Sequence, residues 1–507
     1  MSILTGPALR RGDRWRGGRP VIALVVLGFA LALAAPKPAR AQVDPVDCVG
    51  PAADAEPGTP EWEARDIQNV ICAERRLVDA AAHPVAVLPL EMPVSDPYRD
   101  PSLHDGTRFR YFATTVTNRD GQELAVELYR PCAAGECTDQ PDGLRIFEAP
   151  YPAVLVQHGG YQSRKELHRW ATQSLAEAGY LTVALDAIHA DDTFFEDSTD
   201  VLDWLTATPD DPTAAGEHNP FWAELDRDHI GVAGHSGGGA TANRLGSEDP
   251  RISAVVAWDR SGRYDLPESI TVPSLYMIAD HGFTPERHAD QPDPDGYEEG
   301  EHDPGDKWQD FDRARAQEID AMKLVLRAAT HLDWVPMVAA SSQYGEAVSA
   351  YYTVAWFDRY LRGAHDPAVA RGAFERLIAD RFDDSYDRHN ISQGVYDPAQ
   401  QMASGDVYGG NVPYLLEELP VADRLSFYYD SKCFLTSPIS GERISSNDLR
   451  EQACRAATAA PPPDGAGGSA PSSGDVLPAT GDGAVGLASV LLLAAGWASR
   501  QRRWSRS

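Results

Sequence analysis

A serine at the centre of a glycine-rich pentapeptide offers this chain a nucleophile. Residues 234–238 read GHSGG around Ser236, and the residues before them, 228–233, end in a short apolar run that predicts a strand. Residues 239–245 predict the start of a helix. Small residues on both sides let the backbone take a strained strand-to-helix turn that holds the Ser236 hydroxyl out of the sheet. The N–H of Gly237 is then expected to bind an oxyanion.

A second glycine motif comes earlier, at the end of another predicted strand. The apolar residues 153–157 lead into HGGY at 158–161. Two glycines let the main chain approach a reacting carbonyl closely, so the N–H of Gly160 or Tyr161 is expected to share the oxyanion with the N–H after the serine. The side chain of His158 is expected to pack beside this site.

His331 has the position of a general base among the fourteen histidines. It follows a predicted strand that begins at Met322, and it comes after the serine in the chain. The segment at 351–361 is amphipathic and predicts a helix that would close the domain. His331 is therefore expected to take the proton from Ser236.

Two aspartates end successive predicted strands between the serine and the histidine. Asp259 follows the apolar residues 252–258, and Asp280 follows residues 273–279. Either carboxylate could orient the imidazole of His331 and stabilise its charged form.

Together these motifs resemble the α/β-hydrolase superfamily, and more narrowly its platelet-activating-factor acetylhydrolase-like and cutinase-like esterases. The resemblance covers roughly residues 107–363 and implies an α/β fold, a mostly parallel sheet flanked by helices. In the acetylhydrolase-like group the acid follows the strand just after the serine, which is Asp259 in this chain. In cutinases it lies two residues beyond the position of Asp280, where this chain has Gly282. The resemblance thus favours Asp259, with Asp280 as the alternative acid.

The amino-terminal end has the features of a secretory signal peptide. Five arginines between residues 10 and 19 precede an apolar run at 21–35, which is short for a permanent membrane span. Residues 39–41 read ARA and fit the small-x-small rule for cleavage, so the signal peptide is expected to be residues 1–41.

The carboxyl-terminal end resembles a Gram-positive cell-wall sorting signal of the LPxTG type. Residues 477–481 read LPATG and are followed by an apolar stretch at 483–498 and four arginines. In that family a sortase cuts between the threonine and the glycine, here Thr480 and Gly481, and joins the threonine to peptidoglycan. The resemblance implies attachment to the cell wall of a Gram-positive bacterium. A plain transmembrane anchor helix is the alternative.

Composition divides the rest of the chain. We expect an N-terminal extension at 42–106, the catalytic core at 107–363, and a C-terminal extension packed on the core at 364–455. Residues 456–475 are rich in Pro, Gly and Ser and predict a flexible tether before the sorting signal at 476–507.

Charge and cysteine content narrow the functional classes. The formal net charge is −31, which argues against binding nucleic acid. Six cysteines in an exported chain allow disulfide bonds. Pairing each with its nearest neighbour gives Cys48 with Cys72, Cys132 with Cys137, and Cys433 with Cys454.

The motifs and the resemblance imply a secreted serine hydrolase that cleaves carboxylic esters through an acyl-enzyme. No metal or organic cofactor is expected. The substrate would be a small-molecule or lipid ester and the protein a monomer. Because the fold hosts many activities, an acyltransferase or a peptidase is the alternative. Wall attachment alone would also suit a non-catalytic surface binding protein, but the intact serine, histidine and acid motifs argue against it.

Overall fold

Strands and helices alternate along the chain, as the apolar patterns predict. The computed structural model describes residues 59–82, 100–137, 145–160, 164–188, 194–260, 269–282, 309–317, 319–335, 343–379, 381–385, 416–421, 425–430, 434–436 and 443–445. All of them belong to one unit that spans residues 45–507.

The described residues form seven α-helices and eleven strands. The helices are α1 (Pro60–Ala82), α2 (Arg169–Glu177), α3 (Phe195–Thr206), α4 (Gly237–Glu248), α5 (Gln309–Ala316), α6 (Gln343–Tyr360) and α7 (Pro367–Ile378). The strands are β1 (Phe109–Thr117), β2 (Glu123–Pro131), β3 (Tyr151–Gln157), β4 (Leu181–Leu185), β5 (Leu225–His235), β6 (Ile252–Trp258), β7 (Ser274–Ala279), β8 (Ala321–Leu326), β9 (Leu425–Asp430), β10 (Phe434–Thr436) and β11 (Arg443–Ser445).

Nine strands form one mixed sheet in the order β1-β2-β4-β3-β5-β6-β7-β8-β9. The pairs β1·β2 and β2·β4 are antiparallel, whereas the pairs from β4 to β8 are all parallel. The strand β9 returns antiparallel to β8 at the far edge. Because parallel strands end on the same side, the carboxyl ends of β3, β5, β6, β7 and β8 share one edge of the sheet.

Both faces of the sheet are covered by helices. Along β3, Val154 and Val156 belong to the apolar cluster that contains residues of α2 and α6, whereas Ala153 and Leu155 belong to the cluster with α3 and α4. Side chains that alternate between two buried faces explain why this strand is a continuous apolar run in the sequence. The predicted α/β class is confirmed.

The sheet extends beyond the predicted core at its far edge. Residues 364–455, expected only to pack on the core, supply its ninth strand, β9. The N-terminal extension also reaches this edge, where the guanidinium of Arg65 on α1 donates a hydrogen bond of 2.8 Å to the carbonyl of Leu425.

Several features predicted near the ends of the chain lie outside the described residues. These are the signal peptide, the tether, the sorting signal and the cysteine pair 433/454. Of the predicted disulfides, Cys132–Cys137 is confirmed. Cys72 is disulfide-bonded too, and its predicted partner Cys48 is not among the described residues. Within the described ranges, no helix combines the length and the apolar character needed to cross a bilayer.

Candidate active site

Ser236 lies at a sharp turn between β5 and α4. Its backbone has φ 56° and ψ −118°, a conformation that L-residues rarely adopt. The side chain of Ser236 is half-buried, although both its neighbours are buried, so the hydroxyl lies where a substrate could reach it. Gly237 is the first residue of α4, and the first N–H groups of a helix have no acceptor inside that helix. This N–H is therefore suited to bind an oxyanion.

Glycines make this turn sterically possible. A Cβ atom added to Gly234 would lie 2.2 Å from the carbonyl oxygen of Gly238. One added to Gly238 would lie 2.4 Å from the carbonyl oxygens of both Gln157 and His158. Any larger residue at either position would have to displace backbone atoms. The GHSGG pattern is thus explained by contacts within the turn and with the end of β3.

The loop after β3 passes close to the serine. A Cβ on Gly159 would lie 3.1 Å from the Cβ of Ser236, and the half-buried Gly160 comes next in the chain. The other predicted donor, Tyr161, lies outside the described residues.

The ring of His158 holds this loop in place. Its Nε2 accepts a hydrogen bond of 3.0 Å from the N–H of Ala187, so Nδ1 carries the proton and donates at 2.6 Å to the carbonyl of Gly159. Burial lowers the pKa of His158, which favours this neutral form. The side chain therefore braces the loop between the ends of β3 and β4.

His331 and Asp259 form a hydrogen-bonded pair. Nδ1 of His331 contacts Oδ2 of Asp259, and the second carboxylate oxygen accepts from the N–H of Ala279 at 2.9 Å. The side chain of Asp259 is fully buried. The N–H of His331 donates to the carbonyl of Gly282 at 2.9 Å. With Nδ1 held by a buried carboxylate, Nε2 of the ring is the nitrogen that can exchange a proton with a nucleophile.

Contacts of Ser236 and of the residue before it place the serine near this pair. The N–H of Ser236 donates at 3.0 Å to the carbonyl of Trp258, the residue before Asp259. The ring of His235, the residue before the serine, lies 4.5 Å from the ring of His331, and its Nε2 is 3.1 Å from the His331 carbonyl oxygen. The structure therefore brings Ser236, Asp259 and His331 together at the carboxyl edge of the sheet.

Asp280 takes part in a different network. Its Oδ2 accepts hydrogen bonds from the side-chain amide of Asn69 at 3.0 Å and from the N–H of Ala328 at 3.1 Å. Asn69 in turn accepts from Nε of Arg327 at 2.6 Å. This carboxylate thus fastens α1 to the end of β8. Gly282, at the position of the acid in cutinases, has no carboxylate, and its main-chain carbonyl accepts the hydrogen bond from the N–H of His331.

The sequence indicates no role for His235 or His168, yet His235 contacts the His331 loop and His168 lies beside His235. Their ring centroids are 5.8 Å apart, and burial lowers the pKa of both, that of His168 to about 3. His235 also stacks on Trp334, in the short 3₁₀ helix His331–Trp334. His235 thus packs against the histidine loop, and His168 packs against His235. The only sequence signal for this packing is that His235 stands directly before Ser236.

Comparison with known proteins leaves the family open. No family model matches the chain. The uncharacterized protein PA2218 of Pseudomonas aeruginosa is 30% identical over 156 residues, which are 30% of this chain and 36% of that protein. The chain therefore matches only about a third of the length of this curated relative. The crystal structure of hypothetical protein PA2218 aligns over 30% of this chain and 43% of that chain, with 23% identity and a TM-score of 0.22.

Proposed function

We propose that this protein is an α/β-hydrolase that cleaves carboxylic esters with Ser236 as nucleophile. The observation that carries the proposal is the Asp259–His331 pair beside a serine held at positive φ. The order of these residues along the chain supports the fold assignment. The triad of that fold has the chain order serine, acid, histidine, and here the serine follows β5, the acid β6 and the histidine β8.

The reaction follows from these positions. Oγ of Ser236 attacks the ester carbonyl while Nε2 of His331 takes its proton, and Asp259 stabilises the imidazolium that forms. The N–H of Gly237, with that of Gly160 or Tyr161, binds the oxyanion. Collapse of the tetrahedral intermediate expels the alcohol, which receives the proton from His331. The same ring then activates water, which releases the acid from the acyl-serine.

The ends of the sequence support a location for this activity. We propose that the chain is exported and then joined to peptidoglycan by a sortase through Thr480. The full chain has a net charge of −31, and loss of both ends would remove more basic than acidic residues. The mature enzyme would therefore repel anionic surfaces and substrates and act on neutral or cationic esters.

A substrate panel tests the reaction class. The purified chain is assayed on nitrophenyl esters of increasing acyl length and on peptide amides, beside Ser236→Ala and Ser253→Ala. Ser253 is a half-buried serine on β6 whose hydroxyl bonds to a carbonyl 3.1 Å away, so it serves as a matched control. We expect ester hydrolysis that is lost only in Ser236→Ala. Turnover of amides alone would instead identify a peptidase, and acyl transfer to added alcohols without hydrolysis an acyltransferase.

A further inference from the structure

Two histidines and an aspartate converge at the end of β5 opposite Ser236. Nδ1 of His229 lies 2.8 Å from Oδ2 of Asp226, and Nε2 of His365 lies 2.6 Å from the same oxygen. The three ligand-type atoms all lie within 4.8 Å of one another. The two imidazole rings meet edge to face with their centroids 4.4 Å apart. One carboxylate oxygen and two imidazole nitrogens, all possible metal ligands, thus lie close together.

An irregularity in β5 brings two of these side chains together. Pro152 of β3 pairs with Asp226, but the next residue, Ala153, pairs with Ile230. Residues 227–229 therefore form an insertion in β5. Oδ1 of Asp226 accepts a hydrogen bond of 3.2 Å from the N–H of Asp228 inside it. In a regular strand, side chains three residues apart point to opposite faces. The bulge therefore redirects His229 towards the carboxylate, a role that bulges commonly have near functional sites.

The third side chain comes from the turn between α6 and α7. His365 follows the 3₁₀ turn Arg362–Ala364, and the next residue, Asp366, caps α7 by accepting from the N–H of Ala368 at 2.8 Å. The side chain of His365 is 56% exposed, whereas that of Asp226 is 7% exposed. The cluster is therefore backed by protein on one side and open to water on the other.

We propose that Asp226, His229 and His365 bind one Zn²⁺ ion, with water from the exposed side as its fourth ligand. Two imidazole nitrogens and one carboxylate oxygen form a donor set that zinc accepts in tetrahedral sites, whereas calcium and magnesium prefer oxygen alone. Zinc–ligand bonds of about 2.0–2.1 Å place neighbouring ligand atoms about 3.3 Å apart. The distances from Oδ2 to His229 and to His365, 2.8 and 2.6 Å, need to open by about 0.5 and about 0.7 Å to reach this value.

The ion would join distant parts of the chain. Asp226 and His365 are 139 residues apart, one at the start of a central strand and the other beyond α6. An ion that binds only the folded arrangement stabilises it by mass action. The acidic surface, with a net charge of −31, favours the approach of a cation. This inference does not depend on the chemistry at Ser236, which lies at the opposite end of the strand.

Zinc titration of the purified chain tests the proposal. For this test the protein is purified without a histidine tag and freed of metal with a chelator. It is then titrated with ZnCl₂ in a calorimeter. The matched variants are His365→Ala, which removes an exposed ligand, Asp226→Asn, and the control His218→Ala, which removes a half-buried histidine elsewhere. Thermal unfolding of each protein is recorded with and without zinc, and Co²⁺ is added as a spectroscopic substitute.

We expect one zinc per chain in the parent and in His218→Ala, with a higher Tm when zinc is present. His365→Ala should bind at least tenfold more weakly and lose the rise in Tm, and cobalt should give the visible absorption of a tetrahedral site only when the cluster is intact. Absence of zinc binding by the parent would overturn the proposal. So would unchanged affinity in both His365→Ala and Asp226→Asn.

Discussion

Asp259 and Asp280 follow neighbouring parallel strands, yet their carboxylates have different partners. Asp259 contacts Nδ1 of His331, whereas Asp280 binds Asn69 and the N–H of Ala328. The backbone explains part of this difference, because Asp259 has φ 40° and turns the chain sharply after β6. At the scale of single residues, the contact with His331 identifies Asp259 as the acid of the proposed triad.

Asparagine substitutions separate the two aspartates. Asp259→Asn should keep the fold but favour the wrong tautomer of His331, which lowers turnover by about 10⁴ in serine enzymes of this kind. Asp280→Asn should cost far less activity, because its contacts are to α1 and the end of β8. Turnover of one short ester measures both, and thermal unfolding serves as the control for misfolding. A larger loss in folded Asp280→Asn would reverse the assignment.

His168 predicts a dependence of stability on pH. Burial lowers its pKa to about 3 in the folded protein, whereas the ordinary value is about 6.5. Between these values the unfolded chain binds a proton that the folded chain excludes, so the free energy of unfolding falls as the pH falls. The full effect of one such group is about 1.4 kcal/mol per pH unit below pH 6.5.

Replacing this ring isolates its contribution. His168→Phe keeps an aromatic side chain in the cluster with Trp258 but cannot bind a proton. We expect the parent to lose about 2 kcal/mol more than the variant between pH 6.5 and pH 5, as measured by urea unfolding. Equal losses in the two proteins would show that folding does not lower the pKa of His168.

The turn around Ser236 is the element on which the site depends. It joins β5 to α4, and close contacts of Gly234 and Gly238 with backbone oxygens fix its path. The loop after β3 and the histidine loop after β8 approach it from two sides through Gly159 and His235. The site therefore forms only when these three connections are correctly placed relative to one another.

An alanine scan of two glycines tests this dependence. Gly238→Ala places a methyl group 2.4 Å from two backbone oxygens, so we expect loss of ester hydrolysis and a lower Tm. Gly372→Ala on α7 is the control, since no atom lies within 4 Å of its added Cβ and alanine favours a helix over glycine. Full activity in Gly238→Ala would mean that the turn differs from the one described.

Much of this arrangement could be predicted from the sequence, because apolar runs that end in turn residues reveal buried parallel strands. The runs before Ser236, Asp259 and Asp280 became β5, β6 and β7. The choice between the two acids could not be made from the residues alone, since both follow a strand and only the path of the His331 loop distinguishes them. The bulge at 227–229 was equally hidden, because it lies in polar residues and its third partner is far away in the chain.

At the scale of the whole molecule, the proposed function combines a catalytic site with a signal peptide and a cell-wall sorting signal. The described residues form one α/β unit with its candidate site at the carboxyl edge of the sheet. In the sequence, a Pro/Gly/Ser-rich segment at 456–475 comes after the last described strand and before the LPATG motif. In the proposed arrangement, this segment would lie between the catalytic unit and the site of wall attachment.

Wall attachment predicts a specific new carboxyl terminus. We expect Thr480 to be the last residue of the mature chain and to carry a peptidoglycan amine. Mass spectrometry of fragments released by wall-digesting enzymes measures this, with Thr480→Ala as the variant that should fail to attach. Recovery of a parent chain ending at Ser507 only from detergent extracts would support a membrane anchor instead.

The proposed activity requires Ser236 to be a nucleophile activated by His331. Its most direct test is labelling of the native chain with a fluorophosphonate, followed by peptide mapping of the modified residue. We predict stoichiometric phosphonylation at Ser236, no labelling of Ser236→Ala, and labelling slowed by several powers of ten in His331→Ala. Absence of labelling in a folded parent chain, or a label on another residue that persists in Ser236→Ala, would contradict this account of the site.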